Sequence, residues 1–413
     1  MSDISTDVCV VGGGPAGMTF ALSLAMRGDR VVVLEKSQDF DRSFRGESLS
    51  PDSAWLLQRL GVLEQLREQR ILEVAHTEIQ QEGEVVLRVD FADYDTARLP
   101  LEVPQPMLLR TLADAAAAYP NFTLVRQAGV TRLLHEDGKV AGVRARTPQG
   151  DIEVTAKLTV GADGRYSKVL EWAGLSARKL PLRRDFLWFV VPCPNVWSND
   201  TYRLRFTGTG HAMCVPTYPD LVRVGLNIPK GGLRKLRAGG IEALHAQVDA
   251  LAPELAVRQH VKSWSDTAML DIFTTVVPKW SVPGLVVIGD AAHTLSPALA
   301  QGVNNAIVDG VTLAPMVSHA LSRPDPLEAL GQACTAFQQM REPQVARSRG
   351  LQLRQEKMFS WSAPPARALR RLAYRVLDRA PGLKRRIWRD LFYTLSPRSQ
   401  PSEDNARKPV RST

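Results

Sequence analysis

The 413-residue sequence has few cysteines and no long apolar run, and both absences limit what the protein can be. The cysteines are far apart and form no CxxC pair, so neither a zinc site nor a disulfide framework is predicted. They are Cys9, Cys193, Cys214 and Cys334. No apolar run approaches the ~18 residues that span a bilayer. The N-terminal stretch MSDISTD is polar and carries acids, unlike a secretory signal, and we expect a cytoplasmic protein.

The signatures of hydrolases and metalloenzymes are also missing. No Ser-His-Asp arrangement, cluster of metal ligands or pair of carboxylates stands out, and no metal site is predicted. Hydrophobic residues make up 44% of the chain and charged residues 23%, a balance typical of globular proteins. The length is enough for two or three domains, or for one large interleaved fold.

The formal net charge of +9 is concentrated near the C-terminus. Residues 341–390 contain 14 Lys and Arg against 4 Asp and Glu, and the last 23 residues contain 4 against 2. The first 340 residues therefore carry a net charge of −3. Without aromatic stacking platforms or a binding motif, this basicity does not predict nucleic-acid binding.

The clearest motif lies at the start of the chain, in DVCVVGGGPAGMTFALSLAMRGDRVVVLEK. The β-branched run 8–11 predicts a buried strand, 16–25 a helix and 31–34 a second buried strand. Between the first strand and the helix stand Gly12, Gly14 and Gly17, spaced as GxGxxG. Such glycines allow the tight turn, the approach of backbone to a pyrophosphate, and close packing of helix on strand. Glu35 ends the second strand, where an acid accepts hydrogen bonds from ribose hydroxyls. The stretch predicts a dinucleotide site.

Two later segments repeat the pattern of an apolar strand that ends in a polar turn. LTVGADG places Asp163-Gly164 after a strand, and GLVVIGDAAH places Asp290 after another. An acid at the carboxyl end of a strand points into the crevice where doubly wound sheets bind ligands. A helix predicted from about residue 305 follows Pro297, and its start offers N–H groups that stabilise negative charge.

Together, GxGxxG, the Asp-Gly turn and GDAAH with its following proline, glycine and asparagine resemble one known family. The similarity is to the single-component FAD-dependent aromatic monooxygenases, the para-hydroxybenzoate hydroxylase-like family, and also to ubiquinone-pathway hydroxylases. It covers about 340 residues. It implies an α/β fold with a Rossmann-like FAD-binding domain, an interleaved and mainly antiparallel β substrate domain, and a C-terminal helical segment.

The resemblance also suggests domain boundaries. The FAD-binding domain is placed at 1–75, 97–180 and 275–340, and the substrate domain at 76–96 and 181–274. Apolar and polar residues alternate in the substrate segments, which predicts a sheet with one solvent-exposed face. Basic helices are placed at 341–396. The tail 397–413, rich in Ser, Pro, Arg and Lys, is expected to be disordered.

Several residues match cofactor-binding positions of the family. Arg45 corresponds to an arginine on the pyrophosphate side of FAD, and Gln105 to a cofactor-binding glutamine at a helix start. Val130 would contact the adenine through its backbone, Asp290 would hold the ribityl chain, and Pro297 would lie beside the flavin ring. The complete expected set is Gly12, Gly14, Ala16, Gly17, Glu35, Arg45, Gln105, Val130, Asp163, Asp290, Pro297, Gly302, Val303 and Asn304.

Two positions depart from the family pattern. Leu170 stands where an arginine usually closes the Asp-Gly motif, which puts handling of the nicotinamide in doubt. Ala300 replaces a frequent glycine. No second GxGxxG is visible for the nicotinamide, in agreement with transient docking.

The reaction implied by the resemblance needs little acid–base catalysis from side chains. NADH or NADPH reduces the FAD, oxygen forms a flavin C4a-hydroperoxide, and one oxygen atom passes to a small hydrophobic aromatic, quinone-like or polyketide-like substrate. His211 is the one candidate for substrate contact, in phase with Met213 and Val215 on a predicted strand. A packing role is the alternative for His211, and His293 is interpreted as support for the Asp290 turn.

Three other functions are weighed. Flavin-dependent halogenases resemble this family, but they carry W-x-W-x-I-P where this chain has His211 to Pro216, and no lysine lies between Lys36 and Lys139. An FAD-dependent dehydrogenase or isoprenoid reductase would use the same fold without oxygen insertion. A non-catalytic flavoprotein that only binds a partner is the third.

The C-terminal segment has apolar residues at helical spacing with arginines between them. They are Leu369, Leu372, Ala373, Val376 and Leu377, and after Pro381-Gly382 come Ile387, Trp388, Leu391 and Phe392. A basic amphipathic pair of helices can lie on an anionic membrane, which would place the protein peripherally at the inner membrane surface. Packing of the pair against the FAD domain is the alternative, and the oligomeric state stays open.

Overall fold

The computed structural model describes residues 3–41, 47–69, 71–94, 98–208, 210–297 and 300–392. Its α-helices are α1 (Pro15–Ala25), α2 (Pro51–Arg59), α3 (Leu63–Glu68), α4 (Gln105–Ala117), α5 (Lys168–Trp172), α6 (Leu233–Ala238), α7 (Gly240–Leu251), α8 (Val257–His260), α9 (Asp290–His293), α10 (Gln301–Leu321), α11 (Pro326–Phe359), α12 (Pro364–Asp378) and α13 (Pro381–Phe392).

Its strands are β1 (Ile4–Val11), β2 (Val31–Glu35), β3 (Ser48–Leu49), β4 (Leu72–Glu73), β5 (His76–Gln81), β6 (Glu84–Asp90), β7 (Leu101–Glu102), β8 (Phe122–Arg126), β9 (Gly129–Glu136), β10 (Lys139–Thr147), β11 (Gly150–Gly161), β12 (Arg178–Pro181), β13 (Arg184–Pro192), β14 (Thr201–Phe206), β15 (His211–Thr217), β16 (Leu221–Pro229), β17 (Ala268–Leu270), β18 (Phe273–Val276), β19 (Ser281–Val282) and β20 (Leu285–Val287).

The first sheet is an eight-stranded sheet built around the N-terminal motif. Its order is β19-β20-β11-β1-β2-β8, with β10 paired to β11 and β9 to β10. The central pairs β20/β11, β11/β1, β1/β2 and β2/β8 are parallel. Central strands covered on both faces read as continuous apolar runs, as β1 and β2 do. Because these strands are parallel, the carboxyl ends of β1, β11 and β20 lie at the same edge of the sheet.

Helix α1 is the crossover between β1 and β2. Pro15 occupies its first turn, where a missing N–H costs no hydrogen bond. Ten of its eleven residues are buried, because α1 packs against both α10 and α4. Phe20 and Leu24 are fully covered there, and each such side chain contributes about 1.5–3 kcal/mol.

The second sheet has seven strands in the order β17-β13-β16-β15-β14-β5-β6. Its pairs are antiparallel except β14/β5, which is parallel. The predicted fold class, with a mainly antiparallel second sheet, is therefore confirmed. One face packs on α6, α7 and α8 through Leu187, Phe189 and Leu226. The opposite face, called the inner face below, carries the alternate residues. The domain boundaries expected from the sequence remain predictions.

Helices α12 and α13 pack against the second sheet. Helix α12 lies on β6, where Arg367 bonds Glu82 at 2.9 Å and Arg371 and Arg375 pair with Glu84. Tyr374 and Trp388 are buried in the apolar cluster beneath these helices. No described helix is both long and apolar enough to cross a bilayer.

Helix α10 begins earlier than the sequence indicates, at Gln301 and not near residue 305. Ala300 precedes it in the left-handed conformation, with φ +51° and ψ +26°. That backbone conformation is open to glycine but strained for alanine. The early start brings Gly302 and Asn304 into the first turn of the helix, beside the Asp290 turn.

Candidate cofactor and substrate site

The three predicted turns converge at one edge of the first sheet. Gly12 packs so closely on the Asp-Gly turn that a Cβ there would lie 2.5 Å from the Ala162 carbonyl oxygen and 3.1 Å from the Asp163 Cα. A Cβ on Gly289 would lie 2.8 Å from the Ala16 Cβ. The turns of the three motifs are therefore in direct contact, and residues after β1, β11 and β20 line one crevice.

The first turn has both a closed side and an open side. A Cβ on Gly17 would lie 2.1 Å from the Gly12 carbonyl oxygen, so the third glycine serves close packing. Gly14 caps the N-terminus of α1, and nothing lies within 4 Å of where its Cβ would be. Ala16 is buried behind it. The N-terminus of α1 thus has open space beside Gly14, as a pyrophosphate requires.

Glu35 lies where the sequence places a ribose ligand, at the end of β2. Its carboxylate accepts hydrogen bonds from the Gly13 N–H at 2.7 Å and the Ser37 N–H at 2.9 Å. These bonds fix the carboxylate beside the GxGxxG turn. Val130 lies near the start of β9. Just before this strand, the Ala128 N–H donates to the Glu35 carbonyl oxygen at 2.9 Å. Both positions border the same end of the crevice.

Asp163 and Asp290 have different surroundings. The Asp163 carboxylate accepts bonds from the Ser167 hydroxyl at 2.6 Å, the Lys168 N–H at 2.7 Å and the Val169 N–H at 3.1 Å. It therefore holds the start of α5. Asp290 is partly exposed and pairs with Arg165 at 3.4 Å. Arg165 directly follows the Asp-Gly turn, and it links the second and third motifs.

A buried network supports the Asp290 turn from beneath. Asp309 of α10 accepts hydrogen bonds from the Gly289 N–H at 2.8 Å, His293 Nε2 at 2.7 Å and Arg341 Nε at 2.8 Å. Arg341 also donates to Asn305 Oδ1 at 2.9 Å. Burial acts to raise the pKa of Asp309, but His293 and Arg341 outweigh it and lower the pKa to about 2. The contact of His293 agrees with its expected support of the turn.

The first turn of α10 forms another wall of the crevice. Asn304 accepts a bond from the Ser50 N–H at 2.8 Å and donates to the Ser48 carbonyl at 3.1 Å. Its amide therefore anchors the 48–50 segment. Gly302 lies beside Asp290, whose Oδ1 would be 3.7 Å from a Cβ there. Pro297 accepts the Ala300 N–H at its carbonyl oxygen, at 3.0 Å.

The remaining predicted cofactor residues are placed as follows. Gln105 is buried as the first residue of α4, and Val303 is buried in the first turn of α10. Arg45 lies outside the described residues.

These features fit FAD. The crevice offers an open helix N-terminus at Gly14, a strand-end acid at Glu35 and a partly exposed acid at Asp290. Those three places match the pyrophosphate, the ribose and a polyol chain of one extended dinucleotide. The fold and this crevice define a dinucleotide-dependent oxidoreductase of the FAD-binding type.

The inner face of the second sheet presents three rows of side chains in register. The middle row consists of Trp188, Gly225, Met213 and Leu204, and it forms an apolar floor. Gly225 gives room to the Trp188 indole, because a Cβ there would lie 2.7 Å from the ring. Met213 and Leu204 are only half-buried. Met213 and Leu204 therefore keep part of their surface exposed on the inner face.

A polar row lies on each side of this floor. One row contains Phe186, Asn227, His211 and Phe206. His211 is fully buried, although the sequence suggests a half-buried side chain. Burial, with Arg184 and Arg370 nearby, lowers the pKa of His211 well below its usual value.

The other row includes Arg223 and contacts a buried carboxyl, Glu102 of β7. Tyr202 donates to Glu102 at 2.7 Å, and Arg223 lies 3.4 Å from Glu102 and 2.7 Å from Glu47. Burial raises the pKa of Glu102 to about 7, although Arg223, Ser48 and Tyr202 act to lower it. Arg223 thus joins the second sheet to the 47–50 segment that Asn304 anchors.

Several functional residues were missed by sequence reasoning. Arg165, Asp309, Arg341, Asn227 and Glu102 were not singled out. Asp309 did leave a signal, because an acid in the apolar helix AIVDGVTLAPMV is rarely buried without a partner. No metal-binding group of three or more His, Cys, Asp or Glu occurs in the described part of the chain.

Comparison with known proteins agrees with the site. The family model described as FAD binding domain matches residues 5–340. The 6-methylpretetramide 4-monooxygenase of Streptomyces rimosus is 35% identical over 388 residues, which are 92% of this chain and 90% of that protein. The chain belongs to the FAD binding domain family.

Two further relatives cover nearly the whole chain. The 3-demethoxyubiquinol 3-hydroxylase of Escherichia coli (strain K12) is 26% identical over 397 residues, covering 93% of this chain and 98% of its own. The crystal structure of p-nitrophenol 4-monooxygenase from Pseudomonas putida DLL-E4 has a TM-score of 0.76 at 20% identity. It covers 95% of this chain and 99% of that one, and it shows the same fold. The chain is an FAD-dependent monooxygenase.

Proposed function

We propose that this enzyme hydroxylates a hydrophobic aromatic molecule of polyketide-like or quinone-like character, with NADH or NADPH as electron donor. The observation that carries the proposal is the apolar floor of Trp188, Met213 and Leu204, in which Met213 and Leu204 keep exposed surface. The 47–50 segment connects this face of the second sheet to the cofactor crevice. The names of the Streptomyces and Escherichia relatives support the substrate class, since they describe a polyketide-type ring system and a quinol.

FAD supplies the redox chemistry, in which substrate, O2, NAD(P)H and a proton give hydroxylated substrate, water and NAD(P)+. The residues of the chain bind and position. Gly14 would receive the pyrophosphate and Glu35 the ribose of the adenosine half, with Arg45 and Gln105 as further ligands. Asp290 holds the polyol chain, and Asp309 fixes the Asp290 turn through the Gly289 N–H.

The rest of the site orients the reacting partners. The first turn of α10, from Gly302 to Asn304, would direct N–H groups toward negative charge on a bound cofactor ring. Pro297 would lie beside that ring. The floor holds the aromatic substrate flat and excludes water from the reacting atoms. His211, the one candidate for substrate contact in the sequence, lies in the row beside the floor.

The decisive experiment is a substrate screen on the purified flavoprotein with NADH and with NADPH. We expect substrate-dependent nicotinamide oxidation coupled to O2 uptake, with one atom of labelled dioxygen in the product and little peroxide released. Met213→Trp should fill the floor and abolish this turnover, whereas Val196→Trp, at a side chain that is 78% exposed, should leave it unchanged. Substrate reduction without O2 uptake would instead identify a reductase.

We further propose that the C-terminal helices contact an anionic membrane surface. Four apolar side chains of α12 and α13 are more than half exposed: Leu369, Leu372, Val376 and Leu383. The first three share one face of α12, and α13 carries the exposed arginines Arg385, Arg386 and Arg389. An apolar stripe with flanking arginines suits anionic lipid, and such contact would bring a lipophilic substrate to the enzyme.

Vesicle sedimentation tests this contact. We expect the protein to bind phosphatidylcholine vesicles that contain phosphatidylglycerol, and not vesicles of phosphatidylcholine alone. Replacing Leu369, Leu372 and Val376 together by Ser should release it, whereas Leu353→Ser on α11 should not. Failure of the unaltered protein to sediment with anionic vesicles contradicts the proposal.

A further inference from the structure

His211 and Asn227 are buried polar neighbours with unused hydrogen-bonding atoms. They face each other across the β15/β16 pair, with 1% and 3% of their surfaces exposed. Neither ring nitrogen of His211, nor the Asn227 Nδ2, has a hydrogen-bond partner among the described residues. Buried polar groups are nearly always paired, and an unpaired one costs about 1–3 kcal/mol. Three such atoms at one place need an explanation.

The surroundings of the pair fix its orientation. Arg184 donates to the Asn227 Oδ1 at 3.0 Å, which leaves the Nδ2 as the free end of the amide. The His211 imidazole lies among Phe206 at 5.2 Å, Phe359 at 4.8 Å and Phe186 at 6.4 Å between ring centroids. A neutral imidazole has one N–H donor and one acceptor nitrogen. The pair thus offers two donors and one acceptor in an aromatic setting.

The geometry relates this pair to the open floor. Met213 follows His211 by two residues on β15, and Leu204 pairs with Met213 from β14. Two residues along a strand span about 7 Å, which is the length of one aromatic ring with its substituent. A ring lying over Met213 and Leu204 therefore reaches the His211 row with an atom attached to its edge.

We infer that His211 and Asn227 form a polar subsite that binds a carbonyl or phenolic oxygen on the aromatic ring of the substrate. This inference rests on the proposed function, which places the substrate on the inner face. Asn227 donates to the oxygen through Nδ2. His211 donates to a carbonyl oxygen or accepts the proton of a hydroxyl. The pair selects oxygenated rings over bare hydrocarbons and sets which ring edge faces away from it.

Binding of a matched pair of probes to the FAD-loaded enzyme tests the subsite. We use 2-naphthol and 2-methylnaphthalene, in which a methyl group replaces the hydroxyl, and follow the perturbation of the flavin spectrum. We expect 2-naphthol to bind at least about tenfold more tightly, the value of one good hydrogen bond. Equal affinities, or no binding of 2-naphthol up to its solubility limit, overturn the inference.

Two variants separate recognition from folding. Asn227→Leu removes the Nδ2 donor without adding an acceptor, and it should lower the preference for 2-naphthol. His211→Leu should lower the preference while the thermal midpoint of the holoenzyme stays equal or rises, because no internal hydrogen bond is lost. A fall in that midpoint would show that His211 has a structural partner such as a buried water, and overturns the inference.

The oxygen-uptake assay, run separately with the substrate screen, reports on the proposed function. Oxygenase activity on some ring compounds with no discrimination between the probes rejects the subsite alone. Probe discrimination without oxygen uptake rejects the proposed reaction and leaves the subsite standing.

Discussion

Replacing Asp309 by Asn should destabilise the protein by about 3–5 kcal/mol. The fall of the Asp309 pKa from 3.8 to about 2 corresponds to stabilisation of the folded state on the order of 2 kcal/mol. Loss of that charge also leaves the guanidinium of Arg341 buried without its carboxylate, and breaking a buried pair costs about 3–5 kcal/mol. The neutral amide keeps the size of the side chain, so the loss is electrostatic.

Urea unfolding followed by tryptophan fluorescence measures this effect. Trp280, 5.1 Å from the His293 ring, is one of the eight tryptophans whose combined emission follows unfolding. Glu171→Gln is the control, because the Lys168–Glu171 pair is exposed on the surface and contributes at most about 1 kcal/mol. Since the pKa of Asp309 is depressed, its stabilising contribution is present above pH 3.8 and is lost as the pH falls toward 2. The difference between wild type and Asp309→Asn should shrink over that range.

The same substitution should loosen the cofactor. Asp309 fixes the Gly289 N–H, and the following residue is Asp290. We expect Asp309→Asn to bind FAD at least about tenfold more weakly, which corresponds to 1.4 kcal/mol. Unfolding at the same urea concentration as wild type, with unchanged FAD affinity, would refute the role given to this network.

Two further predictions concern stability. Ala300→Gly should raise the free energy of unfolding by about 0.5–1 kcal/mol. The left-handed backbone costs alanine about 1–2 kcal/mol, but glycine gives back part of that gain because its unfolded state has more entropy. An unchanged or lower urea midpoint would contradict the claim that Ala300 is strained. Glu102 has a folded-state pKa of about 7, above its ordinary 4.5, so its contribution is complete below pH 4.5 and is lost as the pH rises to 7. The free energy of unfolding of the wild type should therefore fall by about 3 kcal/mol over that range, and Glu102→Gln should abolish this fall. A variant with the pH profile of wild type would show that Glu102 does not titrate there.

The cofactor crevice was largely predictable because its signals are local. GxGxxG, the Asp-Gly turn and GDAAH each combine a strand, a turn and a helix start within a few residues, and a parallel sheet must bring the strand ends together. The support beneath them was not predictable. Asp309 meets Arg341, 32 residues later, only because α10 packs on α11, and no pattern in either helix names its partner.

The C-terminal helices show that hydrophobic periodicity does not reveal which face of a helix is buried. The spacing of Leu369, Leu372 and Val376 correctly indicates an amphipathic helix, but that face is the exposed one. The buried face instead carries Tyr374 and Arg370, whose guanidinium lies 4.3 Å above the Phe206 ring and bonds Gln81. The Arg370 guanidinium can be buried there because the Phe206 ring and the Gln81 amide stabilise its charge. Both partners belong to the second sheet, so the sequence of the helix alone does not reveal them.

The polar rows of the inner face could not be derived from the sequence either. Alternation identified His211, Met213 and Val215 as one face of a strand. The register that sets His211 opposite Asn227, and Met213 opposite Gly225, depends on pairing between β15 and β16. Only that register shows an apolar floor with hydrogen-bonding groups at its edge.

The flavin content of two purified variants tests the central claim most directly, namely that the three turns hold one FAD. Gly14→Val adds a side chain where nothing lies within 4 Å, so it should fold normally and still block the pyrophosphate. Asp290→Ala removes the polyol ligand. We expect both variants to be folded and colourless, while the control Gly331→Ala, at an equally open glycine of α11, stays yellow. Wild-type flavin content in Gly14→Val or Asp290→Ala would contradict the account.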